Sequence, residues 1–481
     1  MNFFYFKKTK LARAFAAAAT LASVLIVLPV PSVAANRQVE AQETKGVEQS
    51  QAKPSSPVSQ GERYDLPSII RYALKHNPDL KIAGRNIETE TYGIDSAKAD
   101  RAPKINFGAG ITRYRYDTPI APVIIELPLT PSTEFPPFRR TIQDTAVSFQ
   151  FPLFKGGRLV RGVTIAEVRK AIAQDSYRMT RQDLVYNLTG LYYKIEQLEA
   201  LIRANNASVE QLESHKKNVE LYVKTGTAPR LDLLKTEVEL SHALENRLLV
   251  QNNLASAYEL LKTLMGMDDM GRDIVVVEDK NAAPFSAVLD DSLRKAFAQR
   301  SDYRAVANKK LIAEMQVKIA QGKRLPEIAA MGQYGGKAGS DTGFREDWYY
   351  GLRFTIPLLD GGLIRSEINK QKVELEKVKE EERSLRLAIT RDVRDAHLNI
   401  ANAEERIDVT GKAIESAEEN LRVERLKYET GAGTTTDVID AETASLRAET
   451  DYCQAVFDKA VAVAYLKKAM GEDEYNEEVH E

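Results

Sequence analysis

Five histidines, His76, His215, His242, His397 and His480, and one cysteine, Cys453, are the side chains of this chain best suited to hold a metal ion. Their spacing matches no zinc pattern, and neither a nucleophile elbow nor a glycine-rich phosphate loop occurs. Catalysis is therefore not expected, and neither is a cofactor or a metal. His215 and His242 lie at similar distances either side of Gly226, so a hairpin folded at that glycine would turn them toward each other. Two imidazoles without further ligands are ordinary surface residues, which is the expectation here. Cys453 lies within a helical pattern and is expected to pack as a small apolar residue, with no disulfide framework to support.

Those histidines sit on a chain that states its plan twice. Asn77-Pro78-Asp79-Leu80 and Arg101-Ala102-Pro103 recur as Arg300-Ser301-Asp302-Tyr303 and Arg324-Leu325-Pro326, an offset of 223 positions. Phe151-Pro152-Leu153-Phe154-Lys155-Gly156-Gly157 returns as Ile356-Pro357-Leu358-Leu359-Asp360-Gly361-Gly362, and Met265-Gly266 as Met470-Gly471, both at an offset of 205. One 18-residue insertion in the first copy, between Pro103 and Pro152, accounts for the change. It falls in the proline-rich stretch 118–142. A single duplicated unit follows, rather than the three domains that 481 residues would otherwise allow.

Each copy switches between two hydrophobic periods. Leu184, Leu188, Leu191, Ile195, Leu198, Ile202, Val209, Leu212, Val219 and Val223 form a heptad stripe, and adding 205 gives a second stripe with Glu424 as its main lapse. The first predicts a helix over 158–225, about 100 Å long at 1.5 Å per residue. Gly226 and Gly431 stop the long helices, and Ala228-Pro229 turns the chain into a shorter return helix ending near Met265, with its counterpart ending near Met470. Helices over 66–98 and 289–322 are expected to complete the length of the return helices end to end. Period-two segments around Ile105–Ile111, Val147–Phe151, Ile328–Tyr334 and Trp348–Ile356 predict four strands of about nine residues. With a tilt near 40° each spans an outer-membrane band of about 25 Å, but membrane barrels need about eight strands, so several chains must pool theirs.

The flanks read as address and solvent. Lys7, Lys8, Lys10 and Arg13 precede an apolar run over 14–30 and a small-residue site, Val33-Ala34-Ala35, predicting a signal peptide over 1–35. A polar lead-in over 36–62 is expected to be disordered. The remaining division is a first repeat over 63–270, a linker over 271–287, a second repeat over 288–473 and an acidic tail over 474–481. A formal net charge of −2 argues against nucleic acid as a partner and against a polybasic lipid-binding patch.

A proline-bearing strand end, Gly-Gly and a long helix in each copy, with the tips Tyr222-Val223-Lys224-Thr225-Gly226 and Tyr428-Glu429-Thr430-Gly431, resemble the TolC family of outer-membrane efflux proteins over about residues 64 to 473. The resemblance implies a mainly α fold with membrane β: tandem long α-hairpins in an α-barrel, and four strands per chain in a 12-stranded barrel of a homotrimer. It implies an exit duct in the outer membrane for small molecules or proteins, hanging into the periplasm. The partners implied are a periplasmic adaptor and an inner-membrane transporter of the RND or ABC type, as in tripartite efflux or type I secretion. By the same resemblance Asp437 and Asp440 match an acidic ring at the periplasmic entrance, while Asp232 and Tyr428 match positions that join neighbouring hairpins. The arginine of that lock is replaced by Gly433. Thr227, Ala228, Pro229 and Arg230, with Gly226, Gly431 and Gly433, match the turns that meet the adaptor, and a tight turn alone accounts for the first four equally well. Asp437 has a plainer reading as an acid at the start of the return helix, where the helix dipole favours it. The competing class is a periplasmic coiled-coil structural or adaptor protein that forms no channel. It explains the heptads but not the four amphipathic strands.

Overall fold

A computed structural model describes residues 62–120, 137–277, 287–339, 342–473 and Tyr475. The signal peptide, most of the polar lead-in and the acidic tail, and residues 121–136 of the insertion, lie outside the described residues.

Duplication governs the architecture to the residue. Helices α1 (Leu66–His76) and α2 (Pro78–Ala99) recur 223 positions later as α5 (Leu289–Gln299) and α6 (Ser301–Gly322). The long α3 (Arg158–Lys224) and the return helix α4 (Arg230–Met265) recur 205 positions later as α7 (Leu363–Glu429) and α8 (Thr435–Met470). Both long helices have 67 residues, about 100 Å of rod.

The helices expected over 66–98 and 289–322 are each broken in two. In the first copy Pro78 disfavours a helical Asn77. Asn77 then caps α2 and ties the break to α4: its Oδ1 accepts from Leu80 N at 3.0 Å, and its Nδ2 donates to the Leu264 carbonyl at 2.9 Å. Arg300 stands at the second break without a proline and reaches the equivalent carbonyl, Ala469 O, at 3.4 Å while holding Asp302 at 2.7 Å. Against each break presses the glycine that ends a return helix. Gly266 (φ +72°) has no room for a side chain, because a Cβ would stand 2.7 Å from His76 O; Gly471 (φ +75°) meets Arg300 in the same way.

The core follows the heptad stripe. Leu184, Leu188, Ile195 and Tyr192 of α3 bury against Ile69, Ile70 and Ala73 of α1 and Leu261 and Met265 of α4. Ile389 and Val393 of α7, the counterparts of Leu184 and Leu188, pack with Ala396, the counterpart of Leu191, on Ala296, Leu466 and Met470. Tyr192 also donates to Val277 O at 2.6 Å. Two strands escape the sequence pattern because three residues carry no period: β1 (Glu62–Tyr64) pairs in parallel with β4 (Ile274–Val276), inside the stretch assigned to the linker.

Four longer strands, β2 (Lys104–Pro119), β3 (Phe138–Lys155), β5 (Glu327–Gly339) and β6 (Thr342–Thr355), form one antiparallel sheet in the order β2-β3-β5-β6. They outrun the nine residues expected of each because backbone pairing continues past the end of the apolar alternation. No helix among the described residues is long and apolar enough to cross a membrane.

Candidate functional site: an amphipathic sheet and a polar hairpin tip

Register decides what the sheet can do. Ile105 stands opposite Phe149, Phe107 opposite Val147, Val147 opposite Tyr334, and Tyr334 opposite Trp348. Because side chains alternate, one face carries Ile105, Phe107 and Ile111 with Phe149, Tyr334, Trp348, Tyr350, Leu352 and Phe354. These side chains are exposed, Tyr350 at 81% and Leu352 at 72%. The opposite face carries Asn106, Thr112, Ser148, Gln150, Asp144, Gln333, Lys337, Arg345 and Arg353. A sheet apolar on one exposed face and polar on the other suits a wall between lipid and water.

At the far end of the helices the two hairpin tips pack on each other. Val219 of α3, Tyr428 of α7 and Val438 of α8 form one small core with Tyr222, Val223 and Leu233. Each turn is closed by backbone donors: Thr227 N to Tyr222 O at 2.9 Å in the first, and Ala432 N and Gly433 N to Lys427 O at 2.8 and 3.0 Å in the second. Gly226 and Gly431 take φ of +78° and +77°. Gly433 is closely packed, since a Cβ there would lie 3.0 Å from that of Lys427. Thr227, Pro229 and Arg230 are exposed and Ala228 is half-buried.

Asp437 opens α8 in a capping box: Thr434 N and Oγ1 donate to its Oδ2 at 3.0 and 2.7 Å, and Asp437 N donates back to Thr434 Oγ1 at 3.2 Å. The Thr434 bonds hold its carboxyl below the ordinary aspartate range. The helix-start role is thus realised, and both Asp437 and Asp440 remain exposed. Tyr428 is buried, edge-on to His215 at 4.9 Å. Burial raises its phenol pKa, and the nearby Asp232 carboxylate adds to the rise. No hydrogen bond joins Asp232 to Tyr428 among the described residues.

Other polar contacts at the tip involve Arg425 and Glu442, to which sequence reasoning assigned no role, and His215, which it expected at the surface. His215 does not face His242. It is buried, with Nε2 2.9 Å from Thr435 Oγ1, while His242 is exposed beside Glu245. Arg425 donates to Gln211 Oε1 at 2.8 Å and to Glu442 Oε1 at 2.9 Å, so one guanidinium joins α3, α7 and α8. The only available signal was position: Arg425 and Glu442 flank the Gly431 turn on the two arms of one hairpin.

Burial, with the Arg425 charge adding to it, pushes His215 down to about 4 from its ordinary 6.5. The unfolded chain therefore binds the extra proton between pH 6.5 and about 4, so the tip loses stability as pH falls through that window, by up to about 3 kcal/mol. Glu442, raised by burial, acts in the opposite sense and offsets part of the loss. Thermal unfolding of the parent should fall more steeply from pH 7 to 4.5 than that of His215→Gln; parallel curves would refute the assignment.

An exposed apolar β-face joined to 100 Å helical hairpins defines a class of protein, the outer-membrane channel with a helical duct. The outer membrane efflux protein family model matches residues 69–267 and 293–472, and the chain belongs to that family. It is an outer-membrane protein whose helical part lies in the periplasm. It is 21% identical over 419 residues to outer membrane protein TolC of Vibrio cholerae, covering 85% of this chain and 90% of the relative. It is 22% identical to TolC of Escherichia coli K12, covering 86% and 83%. The solved CmeC outer membrane channel of Campylobacter jejuni shares the fold with a TM-score of 0.73 at 17% identity, covering 84% of this chain and 85% of that one.

Proposed function

We propose that three copies of the chain close a 12-stranded barrel and a helical duct, forming the exit channel of a tripartite efflux pump or type I secretion system. The observation that carries this reading is the four-stranded sheet, which has an exposed apolar face and two outer strands, β2 and β6. Open strand edges are not viable in lipid, and four strands are too few to close alone. Three equal contributions close the sheet without a leftover edge. A periplasmic adaptor would meet the exposed turns at Thr227–Arg230 and Gly431–Gly433, and an inner-membrane transporter of RND or ABC type would deliver the cargo. Asp437 and Asp440 would line the periplasmic entrance, and Asp232 with Tyr428 would sit behind it. Mass measurement of the detergent-extracted particle tests the assembly, and a stable monomer would overturn it.

The entrance ring has its own test. Six carboxylates converging from three chains would repel one another by about 0.5 kcal/mol per pair at about 8 Å in water-like dielectric, and would attract multivalent cations. In planar bilayers the open channel should favour cations at low salt and lose that bias as screening rises. Asp437→Asn with Asp440→Asn should remove both the bias and the cation block. Unchanged selectivity in the double variant would leave the two aspartates with only their place at the start of α8.

A further inference from the structure

One row of the sheet sets like charges side by side on the polar face. The register places Gly110 of β2 opposite Asp144 of β3, Asp144 opposite Lys337 of β5, and Lys337 opposite Arg345 of β6. Directly opposed side chains on a sheet start about 5 Å apart, and like charges in that relation destabilise the pair. Asp144 does not relieve it. Its carboxylate leans the other way, with Oδ1 3.0 Å from where a Cβ on Gly110 would stand. No ion pair joins Lys337 or Arg345 to a carboxylate among the described residues. The other copy shows the ordinary arrangement: Arg140, 205 positions before Arg345, holds Asp117 at 3.4 Å.

The surroundings of the row give both cations reach. The next row toward the helices is Gly108, Ala146, Gly335 and Asp347, so three of its four positions carry a methyl group or no side chain. Asp347 is the acid nearest to Arg345 along β6, two positions away on the same face. Lysine and arginine are long and aspartate is short, so the cationic heads project further from the wall than either carboxylate. Lys337 and Arg345 are exposed. Their row lies at the end of the sheet away from the helices, beside Gly339 and Thr342, the pair that closes the β5–β6 hairpin.

We propose that Lys337 and Arg345 form an anion-binding ring inside the barrel, supplied once by each copy, which takes solutes bearing phosphate or several carboxylates. This rests on the trimer reading and adds a charge to the far end of the duct. Rings of lysine and arginine set anion preference in pores, as rings of acids set cation preference. The duct then has an acidic entrance at the hairpin tips and a basic collar near the opposite mouth. An anion in the collar supplies the counter-charge that the sheet itself withholds from Lys337 and Arg345, which accounts for a like-charge pair kept at a cost to the strands.

The assembled protein in planar bilayers tests the collar, with inorganic tripolyphosphate as the probe. Added at low salt on the barrel side, it should reduce the current, and the block should weaken as salt screens it. Lys337→Gln with Arg345→Gln should raise the concentration for half block about tenfold, because both cations of the ring are lost. Arg113→Gln, on the opposite face of the sheet, should leave it unchanged. Asp144→Asn, which removes the one acid of the row, should lower it about threefold. Conducting parent channels that show no block, or a double variant blocked as readily as the parent, would overturn the collar and leave the channel standing. A monomeric protein that conducts nothing would overturn both. If the double variant fails to fold, Asp144→Asn decides alone, and a block no tighter than that of the parent would overturn the collar.

Discussion

Leu188→Asp is expected to unfold the upper helical core. Leu188 has no exposed surface and sits among Ile69, Leu184, Tyr192 and Leu261, where α1, α3 and α4 meet. Removing a buried leucine side chain costs about 2–5 kcal/mol through lost burial and the cavity left behind. A carboxylate in that cavity adds several kcal/mol more, or takes up a proton at comparable cost. The sum rivals the whole stability of a typical domain, about 5–15 kcal/mol. Glu210→Ala on the exposed side of the same helix should stay within about 0.5 kcal/mol. Thermal unfolding followed by circular dichroism compares them, and equal losses would refute the assignment of the heptad stripe to the core.

That stripe was legible because a heptad repeat sustained from Leu184 to Val223 leaves little room for another reading, and the glycines that end the long helices are unambiguous. The four strands were legible for the same reason at period two, although their ends were not: alternation marks the apolar band, whereas the ladder from Lys104 to Pro119 continues through polar residues. The break at Asn77 carried a signal in Pro78, whereas that at Arg300 was hidden. Each depends on a carbonyl, Leu264 O or Ala469 O, that is distant in sequence, and Arg300 has no proline beside it to announce the break. The tip cluster was hidden for a related reason. His215, Gln211, Arg425, Thr435 and Glu442 come from three helices, and nothing in the spacing of one helix shows which polar residue on another will reach it. The resemblance directed attention to Asp232 and Tyr428, but the hydrogen bonds of this chain run through Arg425 and His215.

Arg425→Met is the second substitution expected to have a large effect, because it strands a carboxylate instead of removing one. Glu442 is 3% exposed, and one of its oxygens, Oε2, has no hydrogen-bond partner among the described residues, so Arg425 supplies its only counter-charge at contact distance. Breaking a buried pair from one side costs about 3–5 kcal/mol, since the remaining charge keeps its desolvation without its partner. The half-exposed Arg425 places the expectation near the lower end, about 3 kcal/mol. Burial already raises the Glu442 pKa, and loss of the arginine raises it further. A group whose folded pKa is raised contributes stability at low pH and loses it as pH climbs through that value. The deficit of Arg425→Met should therefore be largest at pH 8 and shrink toward pH 5. Adding Glu442→Leu should restore much of the stability and abolish that pH dependence, because an apolar pair of similar volume needs no counter-charge. Melting curves of the parent and the two variants at both pH values decide the matter: if the single and double variants lose stability equally, Arg425 acts through its contact with Gln211 and its packing, and the ion pair with Glu442 contributes nothing to the tip.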